Sequence, residues 1–135
     1  MPSPSHLEHI TAYFDACGTG SADDIASHFT ANAVIYDTNV RPMVSASGIG
    51  AGWVRVRDRW KGASWTVDSI VSEGDAAAIE WSMTGTDPAS GRAFVFRGSE
   101  HYRFDPATML IEEIRQYWTF DKERLDTGLI EYPYA

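Results

Sequence analysis

Cysteine is almost absent from this chain, and so is any excess of positive charge. Cys17 is the only cysteine, which excludes an internal disulfide and leaves burial as a small apolar residue as its expected role. The chain carries 19 acidic and 11 basic residues, a formal net charge of −8. Because a negative surface repels nucleic acid and anionic membranes, we expect neither as a partner.

Long apolar runs and common cofactor motifs are also missing. No segment approaches the roughly 18 apolar residues that a membrane span requires. The opening Met-Pro-Ser-Pro-Ser lacks the basic and then apolar stretch of a secretory signal. There is no Gly-x-Ser-x-Gly elbow and no Gly-x-Gly-x-x-Gly phosphate loop. We therefore expect a cytoplasmic protein without a cofactor.

The beginning of the chain has a helical pattern. Ser5 and Glu8 have the spacing of a capping box, and apolar residues then recur at helical intervals until Gly18 and Gly20. Ser21 precedes two aspartates, which is typical of a cap followed by a helical first turn. The sequence predicts one long helix and a second, short one.

The next stretch combines a strand, a loop and a third helix. The apolar run from Ala33 to Asp37 predicts a strand. Residues 39–52 are rich in glycine and serine, which predicts a flexible connection. Trp53, Val56 and Trp60 then fall on one face of a third predicted helix, although the alternation from Val54 to Arg57 also fits a strand.

The rest of the chain alternates strand-like runs with short turns. The predicted strands are Trp65–Ser72, Ala77–Thr86, Ala93–Phe104 and Leu110–Phe120. Strands joined by short turns form an antiparallel meander, and helices at the start of the chain must cover one of its faces. We expect one α+β domain over residues 1–135, in which a curved antiparallel sheet wraps around three helices and an apolar pocket.

Two stretches resemble the nuclear-transport-factor-2-like superfamily, which includes SnoaL-like polyketide cyclases and ketosteroid isomerases. One is Glu-His-Tyr-Arg-Phe-Asp at 100–105, followed by Arg-Gln-Tyr-Trp at 115–118. The other is Thr-Ala-Asn-Ala-Val-Ile-Tyr-Asp at 30–37. The resemblance covers residues 6–125 and implies a cone-shaped fold that hosts enzymes, carriers and scaffolds alike.

The resemblance implies three catalytic residues. Asp37 lies where the isomerases have their base, and Tyr13 lies 24 positions earlier, where they have an oxyanion-hole tyrosine. Glu100 lies where they have a second oxyanion-hole acid, although that acid is an aspartate in the isomerases. The chemistry is consistent, because moving a proton next to a carbonyl needs a carboxylate base and donors aimed at the oxygen. A buried carboxyl group can stay neutral and donate.

Strand alternation also predicts the walls of the pocket and the opposite face of the sheet. The expected substrate-binding residues for a small apolar molecule are Trp118, Phe96, Trp60, Met83, Ile114 and Gln116. The other face of the predicted Ala93–Phe104 strand carries Arg97, His101 and Arg103, and the resemblance implies a homodimer through that face. The tail from Asp126 to Ala135 is expected to cover either the pocket mouth or a partner.

The leading interpretation is a cofactor-free isomerase or lyase that transfers protons next to a carbonyl, and two alternatives stay open. One is a SnoaL-like polyketide cyclase or an epoxide hydrolase. Against it, Trp118 stands about where such cyclases place an acid, and Arg97 and Glu100 lie on opposite sides of their strand. The other is a non-catalytic small-molecule-binding or dimerisation module, in which Asp37, Tyr13 and Glu100 are structural. No metal site is expected, because His6 and His9 lie near a frayed terminus, and His28 and His101 lack carboxylate or thiol partners at ligand spacing.

Overall fold

The computed structural model describes residues 5–134. Most of the segment on which the signal-peptide expectation rests, and Ala135, lie outside these residues. The elements are α1 (His6–Thr19), α2 (Ala22–Ala26), β1 (Phe29–Asp37), β2 (Met43–Val44), α3 (Ala46–Arg59), β3 (Lys61–Glu73), β4 (Ala76–Thr86), β5 (Ala93–Phe104) and β6 (Ile111–Trp118). None of the helices within the described residues is long and apolar enough to cross a membrane.

Side-chain caps begin the first two helices where the sequence predicted them. The hydroxyl oxygen of Ser5 accepts a hydrogen bond from the backbone N–H of Glu8 at 3.2 Å. At the other end of α1, the Gly20 N–H donates to the carbonyl of Ala16 at 2.7 Å. Ser21 caps α2 and accepts from the Asp24 N–H at 3.1 Å. These caps satisfy backbone groups that have no partner inside the helix.

The prediction of a flexible connection over residues 39–52 is wrong. The stretch contains β2, and α3 begins at Ala46 rather than near Trp53. Ser45 caps α3 by accepting from the Gly48 N–H at 3.1 Å. A Cβ on Gly50 would collide with the carbonyl oxygen of Ala22, so this glycine lets α3 approach α2 closely. The glycines that suggested a loop are therefore packing residues of a helix.

Within residues 5–134, six strands form one sheet in the order β2-β1-β6-β5-β4-β3. The β3–β4, β4–β5 and β5–β6 pairs are antiparallel hairpins, as predicted. β1 pairs with β6 in parallel, which makes the sheet mixed. β5 has the predicted limits, β1 begins four residues earlier than predicted, at Phe29, and β6 ends at Trp118. The α+β class, with helices packed against a curved sheet, is confirmed.

Candidate active site

Three polar residues form one row across neighbouring strands on the buried side of the sheet. Asp37 of β1 is the register partner of Gln116 of β6, and Gln116 is the register partner of Glu100 of β5. Neighbouring strands lie about 4.8 Å apart, and β6 lies between β1 and β5, so Gln116 stands between the two acids. We call these three residues the acid row.

The carboxylate of Asp37 accepts three N–H hydrogen bonds. Gln116 Nε2 donates to Oδ2 at 2.5 Å, and Trp118 Nε1 donates to the same oxygen at 3.0 Å. The backbone N–H of Asn39 donates to Oδ1 at 2.7 Å. Asp37 is half-buried, and its partners are all neutral donors that suit an ionised carboxylate.

The chain that follows Asp37 is tied to the end of β6. Thr38 Oγ1 donates to the Trp118 carbonyl at 2.8 Å and accepts from the Trp118 N–H at 3.2 Å. Asn39 Nδ2 donates to the same carbonyl at 3.1 Å. These bonds hold the end of β1 against the end of β6, where the Trp118 indole donates to Asp37. The backbone bonds therefore position the side chains of Asp37 and Trp118.

Glu100 is the buried acid of the row, with 2% of its surface exposed. The hydroxyl of Tyr102 donates to Oε1 at 2.8 Å. Burial raises the pKa of Glu100 from 4.5 to about 8, the Tyr102 hydrogen bond lowers it, and the charge of Asp37 raises it. Because the pKa lies above 7, Glu100 is mostly protonated at neutral pH and has a proton to donate.

Tyr13 reaches the same region from α1 and is 1% exposed. Burial raises the pKa of its hydroxyl, as do Cys17 and the charge of Glu100, whereas the Trp53 indole lowers it. Tyr13 therefore stays neutral, which suits a hydrogen-bond donor. The pKa of the Cys17 thiol is also raised by burial, which keeps the thiol un-ionised and unreactive.

The half-buried Asp37 thus lies near the buried Glu100 and Tyr13. The charge of Asp37 raises the pKa of Glu100, and the charge of Glu100 raises the pKa of Tyr13. Their catalytic roles stay predictions.

The predicted wall residues are densely packed. Trp60, Phe96 and Trp118 belong to an aromatic cluster with Phe94 and Phe120, in which ring centroids lie 4.7–6.3 Å apart. Such spacing is typical of attractive aromatic pairs. Two more predicted residues, Met83 and Ile114, are fully buried in the core. Their predicted contact with a substrate stays a prediction.

A cavity of about 910 Å³ lies beside Trp118 and extends over the other face of the sheet. Of the six predicted substrate-binding residues, only Trp118 lines it. The remaining lining is Thr38, Asp68, Ser69, Glu80, Trp81, Ser82, Thr84, Val95, Arg97, Gly98, Ser99, Tyr117, Thr119, Gly128, Leu129, Tyr132 and Tyr134. Since Trp118 also binds Asp37, this single side chain connects the cavity with the acid row.

The described part of the tail packs against the outer sheet face, opposite the helices. The Thr127 N–H donates to the Val95 carbonyl at 3.0 Å, beyond the end of β6. Arg97 Nη1 donates to Asp126 Oδ1 at 2.7 Å and to the Thr127 carbonyl at 2.8 Å. The Arg97 guanidinium lies 4.0 Å from the ring centre of Tyr134. The tail therefore covers part of the outer face of its own chain.

Sequence reasoning missed the partners of the two acids. Tyr102 lies two residues after Glu100, and alternation along β5 could have placed both on one side. Thr38 and Asn39 directly follow the predicted base, and their polar side chains were a second usable signal. No sequence signal placed Trp53 next to Tyr13, because that contact joins two helices far apart in the chain.

The family model for the SnoaL-like domain matches residues 10–118. The chain belongs to the SnoaL-like family. The matched range contains the whole acid row together with Tyr13, Tyr102 and Trp118. The resemblance to the nuclear-transport-factor-2-like superfamily is thereby confirmed.

Solved structures share the fold of this SnoaL-like protein. A hypothetical protein from Catenulispora acidiphila with a ketosteroid isomerase-like fold, in complex with trimethylamine, is 16% identical, covers 90% of this chain and 91% of its own, and has a TM-score of 0.76. A protein of unknown function with a cystatin-like fold from Methylobium petroleophilum is 27% identical over 97% and 91%, with a TM-score of 0.73. A putative SnoaL-like polyketide cyclase from Shewanella denitrificans is 14% identical over 87% and 92%, with a TM-score of 0.71. No curated protein matches this chain.

Histidines of this SnoaL-like protein pack against aromatic rings. His6 stacks on Phe104 at a centroid distance of 4.5 Å, and His9 lies 6.3 Å from the same ring. Within residues 5–134, no group of three or more His, Cys, Asp or Glu side chains is arranged to hold a metal ion. We can therefore name no metal ligands.

Proposed function

We propose that this SnoaL-like protein transfers protons next to a carbonyl group of a small, largely apolar substrate, without a cofactor. One observation carries the proposal: the two acids of one row have opposite environments. Asp37 is half-buried and accepts from three N–H groups, whereas Glu100 is fully buried and mostly protonated. Two acids whose environments separate their protonation states suit a base and a donor.

The proposed reaction begins when Asp37 removes a proton from the carbon next to the carbonyl. The C–H electron pair forms a carbon–carbon double bond, and the carbonyl oxygen gains the negative charge. Glu100 and Tyr13 donate hydrogen bonds to that oxygen, which stabilises the enolate most where the charge develops. Asp37, now protonated, returns the proton to a different carbon and completes an isomerisation.

Intramolecular cyclisation is the second candidate, and it uses the same first step. The enolate carbon attacks a second carbonyl of the substrate, and protonated Asp37 supplies the proton that the new alkoxide takes up. The fold shared with a putative polyketide cyclase supports this branch. Epoxide hydrolysis by an Asp-Arg-Asp set would need Arg97 beside Asp37, and Arg97 instead pairs with Asp126 on the outer face.

The test is exchange of the α-protons of a cyclic enone or a 1,3-diketone in heavy water, followed by NMR. We expect Asp37→Asn to lower the exchange rate by about 10²- to 10⁴-fold, the usual contribution of a positioned base. Asp58→Asn is the matched control, because the Asp58 side chain is 71% exposed and should leave the rate unchanged. Equal rates for wild type and Asp37→Asn would exclude the proposal and favour a non-catalytic binding module.

We also propose a homodimer that pairs through the outer sheet face. Tyr117 on that face is 49% exposed, and Arg103 and Arg115 both pair with Glu113 there. Light scattering of the purified protein should give twice the chain mass of 15.0 kDa, and a monomer at all concentrations would exclude the dimer. The cytoplasmic location and the extent of the domain over residues 1–135 stay predictions.

A further inference from the structure

Gln116 lies between the two acids of the row, and sequence reasoning assigned it only to substrate binding. We infer that Gln116 is a positioning residue whose amide orientation determines that Asp37 is the base and Glu100 the donor. The roles of base and donor in this inference rest on the proposed function. The structural content of the inference is that the Gln116 amide holds the Asp37 carboxylate and weakens the effect of the Asp37 charge on Glu100. This content is independent of any substrate.

The position of Gln116 leaves its side chain little freedom. It is 5% exposed and is the register partner of Asp37 on one side and Glu100 on the other. Its Nε2 is already committed to Asp37 Oδ2 at 2.5 Å. An amide presents donors at nitrogen and only an acceptor at oxygen. The Gln116 N–H therefore offsets part of the negative charge of Asp37, the charge that raises the pKa of Glu100.

The other contacts of Asp37 agree with this amide orientation. Trp118 and Asn39 also direct N–H groups at its carboxylate. Trp118 lies on β6 with Gln116, and the Asn39 N–H belongs to the backbone that follows β1. Two donors from β6 and one backbone N–H after β1 hold the Asp37 carboxylate in one orientation. A reversed amide would face the Asp37 oxygen with its own oxygen, which is repulsive.

The surroundings of Glu100 favour its neutral form overall, although the Tyr102 hydroxyl favours the charged form. The groups facing it are Tyr102 on its own strand, Tyr13 and Cys17 on α1, and Asp37 on β1. Among the residues that the structure describes, Tyr102 alone donates to it, at 2.8 Å. Burial and the charge of Asp37 both raise the pKa of Glu100, which is about 8.

The neutral amide of Gln116 between Asp37 and Glu100 has a chemical consequence. Two carboxyl groups in direct contact share one proton, and their titrations belong to the pair rather than to either residue. An amide between them that donates to one acid removes this ambiguity. The base then always faces the same end of the substrate.

The experiment compares wild type with Gln116→Met, which keeps the side-chain length but removes the amide. Gln116→Glu is a second variant, which keeps the shape and adds a carboxyl group. Asp58→Asn is the control, because the Asp58 side chain is 71% exposed and lies outside both the acid row and the cavity lining. The first measurement is the carboxyl ¹³C titration of Glu100 in the free protein, and the second is the pH profile of α-proton exchange in heavy water.

We expect the Glu100 transition, near 8 in wild type, to move upward in both Gln116 variants, by about half a pH unit or more. Gln116→Glu adds a carboxyl group next to Glu100. Gln116→Met removes the N–H group that offsets the charge of Asp37. In Gln116→Met we expect kcat for exchange to fall by about 10- to 100-fold while KM changes by less than about twofold, because a misoriented base affects the chemical step. Asp58→Asn should match wild type in both measurements.

An unchanged Glu100 transition in both variants would overturn the inference. A higher KM at constant kcat would overturn it as well, because Gln116 would then act by contacting the substrate. If wild type shows no exchange at all, the proposed function fails, and the titration still decides the role of Gln116.

Discussion

At the scale of single residues, burial and hydrogen bonding distinguish two chemically similar acids. Glu100 is 2% exposed, accepts from Tyr102 and has a pKa of about 8. Asp37 is half-buried and accepts from three N–H groups. Their surroundings, more than their residue types, give each acid its proposed part in proton transfer.

The raised pKa of Glu100 predicts a specific dependence of stability on pH. The folded pKa of about 8 lies above the ordinary value of 4.5, so between these values the folded state binds a proton that the unfolded state does not. The stabilising contribution of this proton is fully present below pH 4.5 and is lost as the pH rises to about 8, by up to about 1.4 kcal/mol per pH unit. Urea unfolding should therefore show wild type losing stability relative to Glu100→Gln as the pH rises through this window.

Glu73→Gln is the control for this measurement, because Glu73 is exposed at the end of β3. Its stability should follow wild type at each pH. A constant difference between wild type and Glu100→Gln over the whole window would contradict the assignment of a buried, protonated Glu100.

The hydroxyl of Tyr102 is expected to tune Glu100. Since its hydrogen bond lowers the pKa of Glu100, Tyr102→Phe should move the Glu100 carboxyl transition to a higher pH in a ¹³C NMR titration. The variant also leaves a buried oxygen without its donor, which costs about 1–3 kcal/mol of unfolding free energy. Tyr117→Phe provides the exposed comparison. A transition that stays in place or moves downward would show that Tyr102 does not act on Glu100.

At the scale of elements, α3 depends on how closely it can approach α2. A Cβ at Gly50 would meet the backbone of Ala22, whereas a Cβ at Gly18 in α1 would meet nothing closer than the Ala63 carbonyl at 3.8 Å. The two glycines are therefore a matched pair, because both are helical but only one lies at a tight contact.

Substituting this pair should have effects of opposite sign. Gly50→Ala should destabilise the protein by about 1–3 kcal/mol, because backbone cannot move as easily as a side chain. Gly18→Ala should stabilise it by up to about 1 kcal/mol through helix propensity. Thermal unfolding of both variants against wild type is the measurement. A Gly50→Ala protein as stable as wild type would mean that α2 and α3 do not pack as closely as described.

At the scale of the whole molecule, Arg97 holds the end of the chain on the outer sheet face. It binds Asp126, the Thr127 carbonyl and the ring of Tyr134. Thr127 is buried and its N–H bonds to Val95. The cavity beside Trp118 is partly enclosed by this segment, so the tail also shapes the space next to the acid row.

Removing the Arg97 guanidinium should release the tail without unfolding the core. In Arg97→Met, hydrogen exchange of the Thr127 N–H should become faster by about tenfold or more, equivalent to about 1.4 kcal/mol of local opening. Amides of the central β4–β5 pair should keep their protection. Arg92→Met, in an exposed position before β5, should behave like wild type. Unchanged exchange at Thr127 would show that the backbone bonds alone hold the segment.

The sequence by itself determined much of the local structure. The caps at Ser5 and Ser21, the meander of long strands and the limits of β5 were readable, because hydrogen-bond caps and side-chain alternation depend only on near neighbours. The start of α3 was not, since a glycine-rich helix looks like a loop until the helix against which it packs is known. The same limit hid the parallel pairing of β1 with β6, which joins residues about 80 positions apart.

For the candidate site, the sequence supplied Asp37, Tyr13 and Glu100, and the family resemblance supplied their proposed roles. Only the tertiary structure decided that Gln116 lies between the two acids, that Trp118 binds Asp37 and that Tyr102 binds Glu100. Protonation depends on burial and on neighbours from other strands and helices. Those quantities exist only once the strands are paired and the helices cover the sheet, and they give the acid row its expected chemistry.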